Sequence, residues 1–129
     1  MTLNNHPRNK AALDLGRRGE QYAVAYVEGL GWEVLDRNWR SRRGELDIVA
    51  RDSDGSVVFV EVKTRAGVAF GSPLESITHK KTRTLMGLGY EWLQGHPRYE
   101  PNIRFDAIGI LMVPNRPVQL DHVRGIQTW

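Results

Sequence analysis

The sequence predicts an α/β (α+β) fold in which a central mixed sheet is covered by helices on both faces. Three observations lead there. Patterns of helical and strand period follow one another in the order helix, three strands, helix, strands. The chain has 129 residues, enough for one core and too few for two, so residues 1–129 are expected to form a single domain. The helix expected between Pro73 and Gln94 stands between strands, which suits a crossover that lays the strand beginning at Ile103 parallel to the third strand.

In chain order, residues 1–8 read as a polar arm. From about Asn9 to Glu28 a helix is expected, with Leu13, Gly16, Glu20, Ala23, Val24 and Val27 on one inward stripe and Gly29 and Gly31 closing it. A carboxylate on such a stripe must be paired, protonated or bound to a cation, because a bare buried charge costs several kcal/mol, roughly. The bland reading is that Glu20 pairs with Arg17 near the exposed edge. Trp32 to Asn38 reads as the first strand, with Trp32, Val34 and Asp36 on one side and Glu33, Leu35 and Arg37 on the other. It leads into Arg37, Arg40, Arg42 and Arg43, the densest basic cluster in the chain, with Trp39 among them. Guanidinium groups bind phosphates through paired hydrogen bonds, and an indole packs on sugar or base.

Gly44 to Arg65 carries the chemistry. Leu46, Ile48 and Ala50 alternate with Glu45, Asp47 and Val49, and Val58, Val60 and Val62 alternate with Phe59, Glu61 and Lys63, so both segments have the period of strands. Asp52-Ser53-Asp54-Gly55 suits a three-residue loop that ends on a left-handed glycine. That register sets Asp52 opposite Ser56, Asp47 opposite Glu61 and Glu45 opposite Lys63. Opposed carboxylates repel, and a divalent cation held by oxygen ligands would compensate them, with Lys63 one step along. Surface salt bridges are the bland alternative; the apolar runs around these acids argue instead for central strands.

The loop over Ala66 to Gly71 contains glycine and adjoins this hairpin. Ser72-Pro73-Leu74-Glu75 is a helix start, with Ser as the cap. Ile77, Lys81, Leu85, Leu88 and Trp92 continue at helical spacing to about Gln94, as one helix or as two short ones meeting near Thr78. Lys81 thus falls on the inward stripe, where it either reaches a site or snorkels along its apolar stem. Ile103 to Val113 is a strand, and Val118 to Val123 returns as an edge strand after Pro114-Asn115-Arg116-Pro117. Asp106 reads either as a further site residue or, as the favoured alternative, as the structural partner of Arg104 or of a nearby backbone donor, and Trp129 reads as packing on the core rim.

Composition narrows the functions. There is no cysteine, which excludes disulfides, thiolate zinc sites and cysteine nucleophiles. His6, His79, His96 and His122 lack the spacing of a transition-metal site. No stretch approaches a signal peptide or a membrane span, and no glycine-rich loop of the nucleotide-binding kind occurs, so the expectation is a cytoplasmic protein with no nucleotide cofactor. Neutralising Glu20, Asp47 and Glu61 by cations would add three to the formal net charge of +3, the right sign for a polyanionic partner.

Leu46-Asp47 followed by Glu61-Val62-Lys63, after a helix bearing Glu20, resembles the PD-(D/E)xK superfamily, whose fold is the restriction-endonuclease-like three-layer fold. Gly16 to Ala23, Gly44 to Asp47, Phe59 to Arg65, Ile77 to Lys81 and Arg104 to Asp106 together resemble the YraN-like family of small bacterial proteins, predicted nucleases related to archaeal Holliday-junction resolvases. Leu46 stands where the motif has its nominal Pro, a position without a role in the chemistry. The resemblance implies that Asp47, Glu61 and the Val62 carbonyl bind Mg²⁺ or Mn²⁺, that Lys63 orients or deprotonates the attacking water, and that Glu20 positions a second ion or its water. Arg40, Arg42, Arg43 and Lys81 become candidates for phosphate contacts. Glu45 is left either tuning Lys63 or pairing with it. The implied reaction is hydrolysis of DNA phosphodiesters, with branched DNA among the candidate substrates and a C2 homodimer as the simplest way to cut two strands. A non-catalytic nucleic-acid-binding module and a partner-binding protein on the same fold are the alternatives.

Overall fold

The computed structural model describes residues 7–67, 72–98 and 102–128. Trp129, positions 1–6 of the expected arm and positions 68–71 of the expected loop lie outside them. Helix α1 spans Pro7–Gly29. Strands β1 (Glu33–Ser41), β2 (Gly44–Arg51) and β3 (Val57–Arg65) follow. A 3₁₀ turn, Pro73–Ser76, precedes helix α2 (His79–Gly95). Strands β4 (Ile103–Leu111) and β5 (Gln119–Val123) and a 3₁₀ turn, Ile126–Thr128, complete the order.

The five strands form one mixed sheet in the order β1-β2-β3-β4-β5. Among the described strands only β3 and β4 run parallel, joined through α2, as the crossover argument requires. The helices cover opposite faces. Ala23 and Val27 of α1 pack on Ile48, Ala50, Val58 and Val60, while Leu85, Leu88 and Trp92 of α2 pack on Leu46, Val49, Val57 and Phe59. On the α2 side Phe59 stacks on Phe105 at 5.2 Å between ring centroids and meets Trp92 edge-on at 5.8 Å.

The β2–β3 turn forms as its residues dictate. Gly55 takes φ +88°, and the Asp52 N–H donates to the Ser56 carbonyl at 2.9 Å. Arg51, Ala50, Val49 and Ile48 then pair with Val57, Val58, Phe59 and Val60. Among the described residues the ladder ends there. Where the next rung would follow, the Val62 N–H donates instead to Asp47 Oδ2 at 2.8 Å.

The neighbouring strand is irregular at the same level. Asn38 adopts φ +52°, a left-handed conformation that asparagine tolerates better than most residues. On either side of it Arg37 pairs with Ile48 and Trp39 with Leu46. Strict alternation would place Leu46 and Ile48 on one face, yet Leu46 packs under α2 and Ile48 under α1. The pleat slips at Asp47, and the ribbon peels away from β3.

Several local expectations are corrected. β1 continues past Asn38 to Ser41, so Trp39 and Arg40 are strand residues. A register shift between Val34 and Asp36 turns Asp36 toward α2, where its Oδ2 accepts the Trp92 Nε1–H at 3.0 Å, away from the Trp32 and Val34 side. Leu13 is 52% exposed and leaves the inward stripe of α1. Ser72 makes no side-chain cap; Thr78 does, its Oγ1 accepting the Lys81 N–H at 3.2 Å, and of the two expected arrangements the segment takes the one divided near Thr78, a 3₁₀ turn followed by a helix. Lys81 is exposed, and Thr82 occupies the buried position beside it.

Candidate active site

Where β2 leaves β3, an open cleft of about 800 Å³ lies between the N-terminal half of α1 and the β1–β2 ribbon. Glu20, Asn38, Arg40, Glu45, Asp47 and Glu61 line it. Local sequence explains each arrival. Gly19 lets α1 settle on β3, because a Cβ there would fall on the Thr64 side chain, and this close approach carries Glu20 to the cleft. Glu45 shares a rung with Arg40. Asp47 turns in through the slipped pleat, and Glu61 follows Val60 at the point where the ladder ends.

One carboxylate oxygen from each of Glu20, Glu45 and Asp47 lies within 4.8 Å of the other two. The Asn38 amide ties two of these acids together, donating to Glu20 Oε1 at 2.6 Å and to Glu45 Oε1 at 2.8 Å. Arg40 Nε donates to Glu45 Oε2 at 3.0 Å. The Asp47 carboxyl is pushed up to about 8, by burial first and then by the Glu61 charge, against the Val62 N–H that favours the anion; Glu20 and Glu45 add to the rise. Lys63 Nζ meets Glu61 Oε1 at 3.2 Å, both side chains half-buried.

The expected residues are thus partly gathered. Glu20, Asp47 and Glu61 share the cleft, and Lys63 adjoins it through Glu61. The acids that converge most tightly are Glu20, Glu45 and Asp47, whereas Glu61 is held by Lys63. Glu45 pairs with Arg40, not with Lys63, because the ladder that would have opposed them has already ended. Glu20 is bonded to Asn38. Of Val62, the N–H is the group that meets Asp47. Arg40 lines the cleft, Arg42 and Arg43 line a second groove against α2, and Lys81 lines neither.

Asn38 and the clustering role of Glu45 escaped the sequence reading. Glu45 carried a signal, since it stands two residues before Asp47; Asn38 carried only its own tolerance of positive φ. Asp106 is structural. Fully buried, it receives Arg104 through Nε at 2.8 Å and Nη2 at 3.0 Å, meets His122 Nε2 at 2.8 Å and accepts the Gly125 N–H at 3.1 Å. Arg104 also donates to Asp52 Oδ2 at 2.7 Å.

Three clustered carboxylates with a fourth adjacent make an all-oxygen donor set of the kind that suits hard divalent cations, not the softer metals that prefer thiolate or imidazole. Among the described residues no helix is long and apolar enough to cross a membrane.

Residues 19–110 match the model of the uncharacterised protein family UPF0102. A UPF0102 protein of Rhodococcus jostii (strain RHA1) is 45% identical over 112 residues, covering 87% of this chain and 94% of the relative. One from Frankia casuarinae is 42% identical over 111 residues, 86% of this chain and 93% of the relative. Another from Kineococcus radiotolerans is 43% identical over 122 residues, 94% and 98% respectively. The matched region takes in Glu20, the ribbon with Glu45 and Asp47, and the strand with Glu61 and Lys63, and the chain belongs to UPF0102, the YraN family.

Proposed function

We propose that the protein is a metal-dependent endonuclease that hydrolyses DNA phosphodiester bonds, with Mg²⁺ or Mn²⁺ as cofactor. The observation that carries this reading is the convergence of Glu20, Glu45 and Asp47 within 4.8 Å, in a cleft that also receives Glu61. Such a group of negative oxygens is costly to hold without a cation. When bound, a divalent ion supplies Lewis-acid polarisation of the phosphodiester and lowers the pKa of water.

The chain's own residues do the remaining work. Asp47, fixed by the Val62 N–H, presents its carboxylate to the cleft beside those of Glu45 and Glu20. Glu61 holds the Lys63 ammonium beside the cleft, where it orients the attacking water and offsets charge on the phosphate. Asn38 keeps Glu20 and Glu45 together. Arg40 at the cleft, with Arg42 and Arg43 beyond it, meets flanking phosphates, so affinity falls steeply as salt rises. A C2 dimer would present two such sites to two strands.

The test is a Mg²⁺ and Mn²⁺ cleavage assay on branched and linear DNA with the parent protein, Asp47→Asn and Lys63→Ala. The reading expects metal-dependent cutting that falls about 100-fold or more in each variant. Variants that cut as well as the parent would assign the activity to a contaminant. DNA binding without cutting, indifferent to Asp47→Asn, would identify a non-catalytic binding module.

A further inference from the structure

The clusters and grooves outside the acidic cleft differ in what they could hold. The Arg104–Asp106–His122 network is closed on itself. A smaller hollow beside Leu111, Val113 and Pro117 is mostly apolar and shows nothing of its occupant. The groove between the β1–β2 turn and α2 is of another kind. About 690 Å³ in volume, it is lined by Trp39, Arg40, Arg42, Arg43, Tyr90 and Gln94, among others. Arg43 lies over Gly87 of α2, where a Cβ would come within 3.0 Å of its Nη1. Glu91, the acid on this wall, already accepts the Ser41 hydroxyl at 3.0 Å. The Tyr90 ring is braced edge-on against Phe105 at 6.0 Å and remains 48% exposed.

The position of this groove decides what it fits. The acidic cleft opens on the α1 face of the sheet, the groove on the α2 face, and Arg40 lines both. The two meet around β1, one of the two edge strands of the sheet. A polyanion that occupies both must turn around the edge of a single strand. Duplex DNA, with a persistence length of roughly 50 nm, does not turn so tightly. An unpaired strand does, and arginines beside an aromatic platform are the usual equipment for holding one without regard to sequence.

We infer that the groove between the β1–β2 turn and α2 binds an unpaired strand of the nucleic acid, with a base on Tyr90 and phosphates on Arg42 and Arg43. The substrate class is therefore DNA with a single-stranded arm next to the scissile bond, such as a splayed or flapped duplex. The inference rests on the nuclease reading for the identity of the polymer, and names the class that this site selects.

Fluorescence anisotropy in Ca²⁺, with a splayed duplex, a blunt duplex and a single strand of equal length, tests it without cleavage. The parent protein should prefer the splayed and single-stranded probes. Tyr90→Ala should reduce the ratio of splayed to blunt affinity about tenfold, and Tyr90→Phe, which keeps the ring, should restore it. Arg42→Ser with Arg43→Ser should reduce the same ratio, and a melting curve for each variant confirms folding. A parent protein that binds blunt duplex as tightly as the splayed probe, or a Tyr90→Ala ratio equal to the parent's, overturns the inference. Those outcomes leave the nuclease reading standing if Asp47→Asn still abolishes cutting. Conversely, intact selectivity for the splayed probe with no metal-dependent cutting overturns the nuclease reading and supports the groove.

Discussion

The Asp47 carboxylate accepts the backbone N–H of Val62 at 2.8 Å, so a side chain of β2 replaces the ladder bond that its own backbone gives up. This contact links the two strands where they part and fixes an acid in the lining of the cleft. The same burial, with Glu61 beside it, pushes the Asp47 pKa up to about 8.

Stability without metal should therefore depend on pH in a particular direction. The folded pKa of Asp47 is raised from an ordinary 3.8 to about 8, so the proton is bound more tightly in the native state. Its contribution is full below the unfolded value and is lost as pH rises between about 4 and 8. Asp47→Asn should remove that slope and melt higher than the parent at pH 8. Thermal melts of the metal-free proteins from pH 5 to 9 check this; parallel curves would contradict it.

Asn38 should matter for metal affinity more than for folding. Its amide joins Glu20 to Glu45, and its φ is positive. Asn38→Gly keeps the backbone and deletes the tie, so Mn²⁺ affinity should weaken about 10- to 100-fold, as for other residues that orient ligands. Titration calorimetry measures this, with a melting curve close to the parent's as the accompanying result.

Arg104 should be a stability residue with no direct part in the cleft. Against burial, which raises both, hydrogen bonds lower the pKa values of its two partner acids: Asp52 through Arg104 and the Ser56 and Asp54 N–H groups, and Asp106 through His122, then Arg104 and the Gly125 N–H. Arg104→Met leaves both acids without their cation and should cost about 3–5 kcal/mol in urea unfolding at pH 7. Because both pKa values are depressed, this stabilisation is present above about pH 4 and lost as pH falls through the folded values. The variant's deficit should shrink in acid.

Gly19→Ala should disturb the seat of α1. The added methyl falls on the Thr64 side chain, which lies on rigid β3, and overpacking of this kind costs about 1–3 kcal/mol. Thr64→Ala in the same chain should recover part of the loss, measured as a double-mutant cycle. Simple additivity would mean that the helix does not rest there.

The hairpin was legible because Gly55 and the two alternating runs leave one register, and the crossover was legible because a helix separates β3 from β4. Of the alternatives open for Asp106, the structural one holds: Arg104, two residues away on one strand face, and the Gly125 N–H both bond it. The slip at Asp47 was not legible, since strict alternation puts Leu46 and Ile48 on one face and cannot express the change of face that coincides with the positive φ of Asn38. The reassignment of Glu45 from Lys63 to Arg40 follows from that slip. The division near Thr78 was one of the two arrangements the spacing allows, but the stripe drawn through Ile77 and Lys81 is off by one residue at the start of α2, where Thr82 is the buried position and Lys81 is exposed. His122 gave no sign of its role, since its partners Tyr26 and Asp106 are distant in sequence.

The central claim is that the corner formed by Glu20, Glu45 and Asp47 holds a divalent ion, and thermal denaturation with and without Mn²⁺ at pH 7.5 tests it most directly. A site filled at 100 times its dissociation constant stabilises the fold by about 2.7 kcal/mol. The account predicts a rise in Tm of several degrees for the parent protein and little or none for Asp47→Asn. An unchanged Tm for the parent at millimolar Mn²⁺, or an equal rise in both proteins, would contradict it.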